Sequence, residues 1–190
     1  MLLSDRSIRG ELDSGGISIE PLAEGSVQPS SVDLRLASSF RIFHNHSIPL
    51  LDVRVDQSSI TEAIELDEGR SLALQPGQLI LGSTLERVSL SDRLVGRLDG
   101  KSSLGRLGLL IHSTAGFIDP GWSGHLTLEL YNAAKLPILL YPGMKVCQVS
   151  FLEMTTPAEV PYGSERARSK YQGQQGPGIS RYFQDYQEQH

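Results

Sequence analysis

The stretch His125-Leu126-Thr127-Leu128-Glu129-Leu130-Tyr131 alternates apolar and polar residues without a break. In an extended chain successive side chains point to opposite faces. Leu126, Leu128 and Leu130 therefore share one face, and His125, Thr127, Glu129 and Tyr131 share the other. Outward from this strand, shorter runs have the same character: Ile17 to Glu20, Val32 to Leu36, Phe40 to Phe43, Leu79 to Leu81 and Lys145 to Leu152. Gly, Pro, Asn and Asp clusters separate them, which is the pattern of a mostly antiparallel β domain. One helix is expected at the start, with Ser4 as N-cap, Ile8 and Leu12 one turn apart, and Gly15-Gly16 as the stop. Ser103 to Gly108 suits one short helical piece, and residues 44–72 read as an irregular, partly charged insertion between strands. There is no internal repeat.

At 190 residues the chain has the length of one domain with a core of its own. Lys and Arg number 17 against 22 Asp and Glu, a net charge of −5. A general duplex-DNA or RNA binder needs a basic face to release counterions, so no nucleic-acid partner is expected. A small polyanion held by a few local cations stays compatible. Cys147 is the single cysteine, which excludes an intrachain disulfide and a multi-cysteine zinc site. No apolar run approaches the roughly 18–20 residues of a membrane span, and Met1 to Gly10 lacks a basic-then-apolar signal. The expected setting is a reduced cytoplasm, away from membranes.

Two segments concentrate chemistry. Gly96-Arg-Leu-Asp-Gly-Lys-Ser-Ser-Leu-Gly-Arg-Leu-Gly108 gathers glycines, hydroxyls and three cations. Gly96 to Gly100 is one residue too short for the phosphate loop G-x-x-x-x-G-K-[ST], and no strand–helix alternation follows. The physics survives: glycines let backbone N–H groups approach an oxyanion, and Lys101 and Arg106 neutralise it. A plain glycine-rich turn before a short helix is the competing reading. The second segment, His112-Ser-Thr-Ala-Gly-Phe-Ile-Asp-Pro-Gly-Trp-Ser-Gly124, carries a turn at Asp119-Pro120-Gly121. Gly116 beside Phe117 suggests a close backbone approach next to an aromatic face.

Glu129 sits among leucines on a strand expected to be substantially buried. A carboxylate there is either paired structurally or perturbed toward general acid–base work, and both readings stay open. Metal ligation has little support. The histidines are 44, 46, 112, 125 and 190, and His44-Asn45-His46 has no supporting pattern. Zinc-dependent deaminases need H-x-E plus P-C-x-x-C, and neither part exists here. Cys147, in an expected core strand with Val146 and Val149, reads as an inert thiol. The stretch 163–190 is rich in Gln, Gly and charge and cannot build a core of its own. It is either a solvated tail or an arm whose Arg166, Arg168, Lys170 and Arg181 close over an anion.

Taken in order, these segments resemble the dCTP deaminase branch of the trimeric dUTPase superfamily over nearly the whole chain. Met1-Leu-Leu-Ser-Asp-Arg6 and Gln28-Pro-Ser-Ser-Val-Asp-Leu-Arg-Leu36 resemble its start and first motif. Gly100-Lys-Ser-Ser-Leu-Gly-Arg-Leu-Gly108 resembles its phosphate motif, and Gly116-Phe-Ile-Asp-Pro-Gly-Trp-Ser-Gly124 its sugar-binding hairpin. Leu128-Glu-Leu130 with Asn132, then Pro142-Gly-Met144 and Gln148, continue the order. Tyr162-Gly163 and Ser169-Lys-Tyr-Gln-Gly-Gln174 resemble the closing arm.

The resemblance implies a mostly β, distorted jelly-roll barrel with a short N-terminal helix, assembled as a homotrimer with nucleotide sites between subunits. It divides the chain into a β domain, 1–162, and an arm, 163–190, that closes over the nucleotide. It implies deamination of dCTP without zinc, Glu129 being the general acid–base and Ser102 and Arg106 orienting water and the departing amine. Lys101, Ser103, Arg106, Gln148, Tyr162, Lys170 and Gln174 would contact the triphosphate or its neighbouring groups, and Leu104 and Gly105 would also belong to the substrate site. Mg²⁺ would be held through the phosphates and not by a protein metal site. Thr127 and the backbone near Ala115 would read the pyrimidine edge, Asp119 would hold the deoxyribose 3′-OH, and Leu128 would also belong to the substrate site. Inhibition by dTTP is implied as well. Within the family, chains that stop at dUTP look like T-A-H-R at the hairpin, and chains that continue to dUMP look like T-A-G-F. Thr114-Ala115-Gly116-Phe117, with Gly105 in the phosphate motif, matches the second kind. The alternatives are a deaminase releasing dUTP, a plain dUTPase, and a regulatory module that binds the nucleotide without turnover.

Overall fold

The computed structural model describes residues 1–44 and 49–187. Within the histidine pattern, His46 and His190 lie outside the described residues, as does Asn45. Helix α1 spans Asp5–Ser14, entered through Ser4 in extended conformation and stopped by Gly15 at φ 80°. Only glycine takes that left-handed geometry without cost. Ile8 is fully buried and Leu12 packs beside it, as the one-turn spacing requires.

Thirteen strands follow among the described residues. The first six are β1 Ile17–Glu20, β2 Val27–Gln28, β3 Ser31–Arg35, β4 Ser39–Phe43, β5 Thr61–Glu65 and β6 Leu72–Leu74. Then come β7 Leu79–Leu90, β8 Leu94–Gly100, the one-turn helix α2 Ser102–Gly105, β9 Leu109–Leu110 and β10 Phe117–Ile118. The last strands are β11 Ser123–Asn132, β12 Ile138–Leu140 and β13 Lys145–Glu153, and a short α3 covers Gln184–Gln187. One antiparallel sheet runs β5-β4-β7-β11-β9, with β1 also on β7; the second runs β10-β8-β13-β3-β2; β12 and β6 pair separately.

The mostly β, jelly-roll-like character expected from the motifs is what the chain forms, built as two open sheets and not as a closed barrel. Between the sheets lies one core. Leu126, Leu128 and Leu130 face Leu34, Val149 and Phe151 within a single cluster of buried residues. Leu128 is 0% exposed, and burying a leucine fully stabilises by about 1.5–3 kcal/mol. Among the described residues no helix is long and apolar enough to cross a membrane.

Three expectations change. The run Leu79 to Leu81 is the start of a twelve-residue strand, whose Gly82, Ser83, Thr84 and Glu86 obscured the pattern. Their burial has local causes. A side chain at Gly82 would meet Leu130 Cδ1 at 2.9 Å, and the buried Glu86 carboxylate accepts from Arg35 N at 2.8 Å and Arg35 Nε at 2.6 Å. Gly96 to Gly100 is strand β8 and not a glycine-rich turn; the turn begins at Lys101. The stretch 44–72 is not wholly irregular either, because β5 pairs with β4 in full register, Phe40 opposite Ile64.

Candidate active site

The end of β8, α2, β9 and the middle of β13 enclose a cleft of about 370 Å³. Lys101, Ser102, Ser103 and Gly105 line one side, Ile111 and His112 another, and Gln148 and Asp99 the base. The chain turns here because β8 stops at Gly100 and Lys101 O accepts from both Leu104 N and Gly105 N at 3.0 Å. That single turn carries the hydroxyls of Ser102 and Ser103 to the surface. Leu104 points the other way and packs on the core. Lys101 Nζ donates to Asp33 Oδ1 at 2.5 Å. Arg106 is exposed at the end of α2 and is not part of this lining.

Glu129 stands behind the cleft wall. Its N–H donates to Ile111 O at 3.0 Å and its Oε2 accepts from Ser113 N at 3.0 Å, so both ends of the residue are tied to the segment that carries His112. The expectation of deep burial among leucines is corrected: the strand alternation turns Glu129 away from them, and it is half-buried on the opposite face. Leu128, in contrast, has its side chain wholly in the core, so it offers a ligand only backbone. The Ser113–Phe117 segment, a loop between the two sheets, is held by Leu98 N donating to Gly116 O at 2.8 Å. A Cβ on Gly116 would lie 3.1 Å from Leu98 O and 3.3 Å from His112 Nε2. Phe117 is 67% exposed.

Thr127 shares Glu129's face, about 7 Å away along the strand, and its Oγ1 accepts from Gln174 Nε2 at 2.6 Å and Gly178 N at 3.0 Å. Gln174 Nε2 also donates to His125 O at 3.1 Å, and His125 N donates to Gln174 O at 2.9 Å. The arm lands where the β7–β11 register shifts between His125 and Thr127. A bulge frees ladder groups; Leu126 N finds Thr84 Oγ1 at 3.0 Å, and the rest take the arm.

A second cleft, about 330 Å³, is lined by Asp119, Pro120, Val160, Tyr162, Ala167, Arg168 and Ser169. The Asp119–Trp122 turn closes with Trp122 N donating to Asp119 O. Trp122 and Tyr162 pack with ring centroids 5.5 Å apart, and burial pushes the Tyr162 phenol above its ordinary pKa. Tyr162 Oη accepts from Tyr171 N at 3.0 Å. Lys170 turns toward the chain's own tail, 2.6 Å from Asp185 Oδ2 and over the Tyr182 ring. Asp185 holds its ammonium above the usual lysine pKa. Burial likewise pushes the Cys147 thiol far up, an inert core sulfur.

The expected site residues thus fall into three groups within one chain: Lys101, Ser102, Ser103, Gly105 and Gln148; Glu129, Thr127, Gln174, Gly116 and Phe117; and Asp119 with Tyr162. Arg106 and Lys170 stand apart from all three. Asp33, His112 and Asp99 are the participants that sequence reading missed. Only Asp33 left a signal, a charge set between the apolar Val32 and Leu34 of β3.

Residues 2–154 match the family described as dCTP deaminase-like. The chain belongs to the dCTP deaminase-like family. A relative from Mycolicibacterium paratuberculosis named "dCTP deaminase, dUMP-forming" is 56% identical over 186 residues, covering 98% of each chain. A Streptomyces griseus relative of the same name is 55% identical, covering 98% of this chain and 97% of its own. Among solved structures, 2'-deoxycytidine 5'-triphosphate deaminase from Agrobacterium tumefaciens superposes with a TM-score of 0.62 at 26% identity. That match covers 78% of this chain and 46% of the other. The dCTP deaminase-like match ends at residue 154, before the arm, while the two relatives align across 98% of the chain.

Proposed function

We propose that this protein converts dCTP and two waters to dUMP, ammonia and pyrophosphate, with Glu129 moving the proton in the first step. The observation that carries the reading is the Ser113–Glu129 bond. It fixes one carboxylate oxygen and leaves Oε1 to accept a proton as water attacks C4 of the cytosine. The same carboxyl then returns the proton to the departing amine, leaving a uracil. A positioned acid–base contributes about 10²–10⁴-fold, and a protein donor that steadies the developing charge contributes a similar factor. Ser102 takes that second role, and Arg106, which turns out of its own chain's cleft, takes it in the site of a neighbouring copy.

The triphosphate occupies the cleft of Lys101, Ser102, Ser103 and Gln148. In the second step water attacks the α-phosphorus, the α–β bridging oxygen leaves with pyrophosphate, and dUMP remains. Gly116 supports this step because the segment passes so close to Leu98 O and His112 that a Cβ there would crowd both, at 3.1 and 3.3 Å, and glycine permits that approach. Among the described residues no three His, Cys, Asp or Glu side chains are placed to hold a metal ion, and the cleft lining has a single carboxylate, Asp99. Mg²⁺ suits this donor set as a companion of the nucleotide: it would be held chiefly through the phosphates, with Asp99 and Gln148 as the lining residues that would assist. When bound it neutralises phosphate charge.

The three groups of site residues favour assembly from more than one copy, and a homotrimer is the arrangement we infer. The exposed Leu107, Phe117 and Leu136, at 63%, 67% and 75%, are apolar surface suited to such contacts. dTTP, with the same sugar and triphosphate, would compete at this site. The setting is the cytoplasm, where nucleotide pools lie.

Incubating the purified protein with dCTP and Mg²⁺ and separating dUTP, dUMP and pyrophosphate over time tests the reading. Equal release of dUMP and pyrophosphate is expected. Free dUTP as the main product would overturn the two-step reaction.

A further inference from the structure

Beneath the cleft lies an ion triad, of which the roles above use only Lys101. Asp33 sits in β3 between the fully buried Val32 and Leu34, and its own side chain is 4% exposed. Its Oδ1 accepts from Lys101 Nζ at 2.5 Å, and its Oδ2 lies 3.3 Å from Lys145 Nζ. The sheet register explains the meeting. Gln148 of β13 pairs with Asp33 on one side and Asp99 on the other, so a single strand separates Asp33 from β8, whose end carries Lys101. Lys145 opens β13 and is half-exposed.

A carboxylate this far from water is expensive unless paired and hydrogen-bonded. Two ammoniums are more than pairing needs: against one carboxylate they leave a net positive charge under the cleft floor. Lysine is a flexible four-carbon stem with three donors, so anchoring one N–H of Lys101 aims the others. We infer that Asp33 is a positioning residue for the triphosphate. It clamps Lys101 at the cleft wall, and Lys145 supplies the charge that keeps the clamp from cancelling the cation it holds. This rests on the reading of the cleft as the phosphate site.

The role differs from a structural one in what its loss does. Asp33→Asn keeps the shape and removes the clamp. Turnover falls roughly 10- to 100-fold, the scale for a misaimed group. The KM for dCTP does not rise, because a negative charge has left the site. Lys145→Met raises that KM about two- to fivefold, less at high salt.

The deciding experiment is a double-mutant cycle on the full-length protein, with kcat and KM for dCTP measured for Asp33→Asn, Lys101→Met and the pair, beside Lys145→Met. If Asp33 acts through Lys101, its substitution costs nothing further once Lys101 is methionine. Equal losses in both backgrounds, to within about twofold, would overturn the inference. So would an Asp33→Asn protein with parental kcat. Should Asp33→Asn fail to fold, Lys145→Met decides: an unchanged KM with unchanged salt dependence would overturn it. If Lys101→Met itself kept parental kinetics, the failure would lie in the phosphate-site reading and not in the clamp.

Discussion

Glu129 and Ser113 are joined by a 3.0 Å hydrogen bond from the backbone N–H of one to Oε2 of the other. Through it the carboxyl group on β11 is fixed to the first residue of the hairpin that runs to Gly116 and Phe117. The acid–base of the proposed deamination and the segment that distinguishes the dUMP-forming pattern are therefore one mechanical unit. A change at the hairpin should reach both steps of the reaction, but unequally.

Gly116 is the position to test that inequality. Any side chain there meets Leu98 O and His112 Nε2 at 3.1–3.3 Å, so the segment or the His112 ring must give by a few tenths of an ångström. Gly116→His with Phe117→Arg is expected to lower dUMP formation by about tenfold or more while deamination persists, so that dUTP accumulates. Chromatographic separation of the products reads this directly. An unchanged product ratio would show that the hairpin does not govern the second step.

Gln174 anchors the arm with its amide on Thr127 Oγ1 and His125 O. Removing two such bonds costs roughly 1–3 kcal/mol. Gln174→Ala should raise the KM for dCTP by about five- to a hundredfold and speed hydrogen exchange at Gly173, Gln174 and Gly178. Exchange at the parental rate would mean the side chain does not hold the arm.

Why composition alone left the arm open between a solvated tail and a closing segment is clear from these contacts. It docks through backbone and amide hydrogen bonds at a bulge of β11, which leaves no apolar periodicity to find. The strand itself was legible because period-2 alternation is a direct record of which face is buried. That same alternation places Glu129 opposite the leucines, so the expectation of its deep burial conflicted with its own pattern. Lys101 and Ser102 were legible as phosphate-type residues. Their link to Asp33, 68 residues away, depends on sheet order, which no local pattern encodes. Arg106 was legible as a cation of the same motif, but a one-turn helix carries it outward.

Tyr162 offers a test by pH. Burial raises its pKa above 10.0, so the folded chain keeps a proton that the unfolded chain has begun to lose. Its contribution to stability is complete below pH 10.0 and declines as pH rises through the raised value. Above pH 10.0, the melting temperature of the parent should fall more steeply with pH than that of Tyr162→Phe. The difference tyrosinate titration should show one late phenol. Parallel pH dependences would place Tyr162 in solvent.

The most direct test of the central claim is Glu129→Gln. The amide keeps an oxygen for Ser113 N and cannot take a proton. Ammonia release from dCTP should fall by about 10²–10⁴-fold, with dCTP affinity by calorimetry and melting temperature both near parental. Near-normal ammonia release by a folded Glu129→Gln protein would contradict the account.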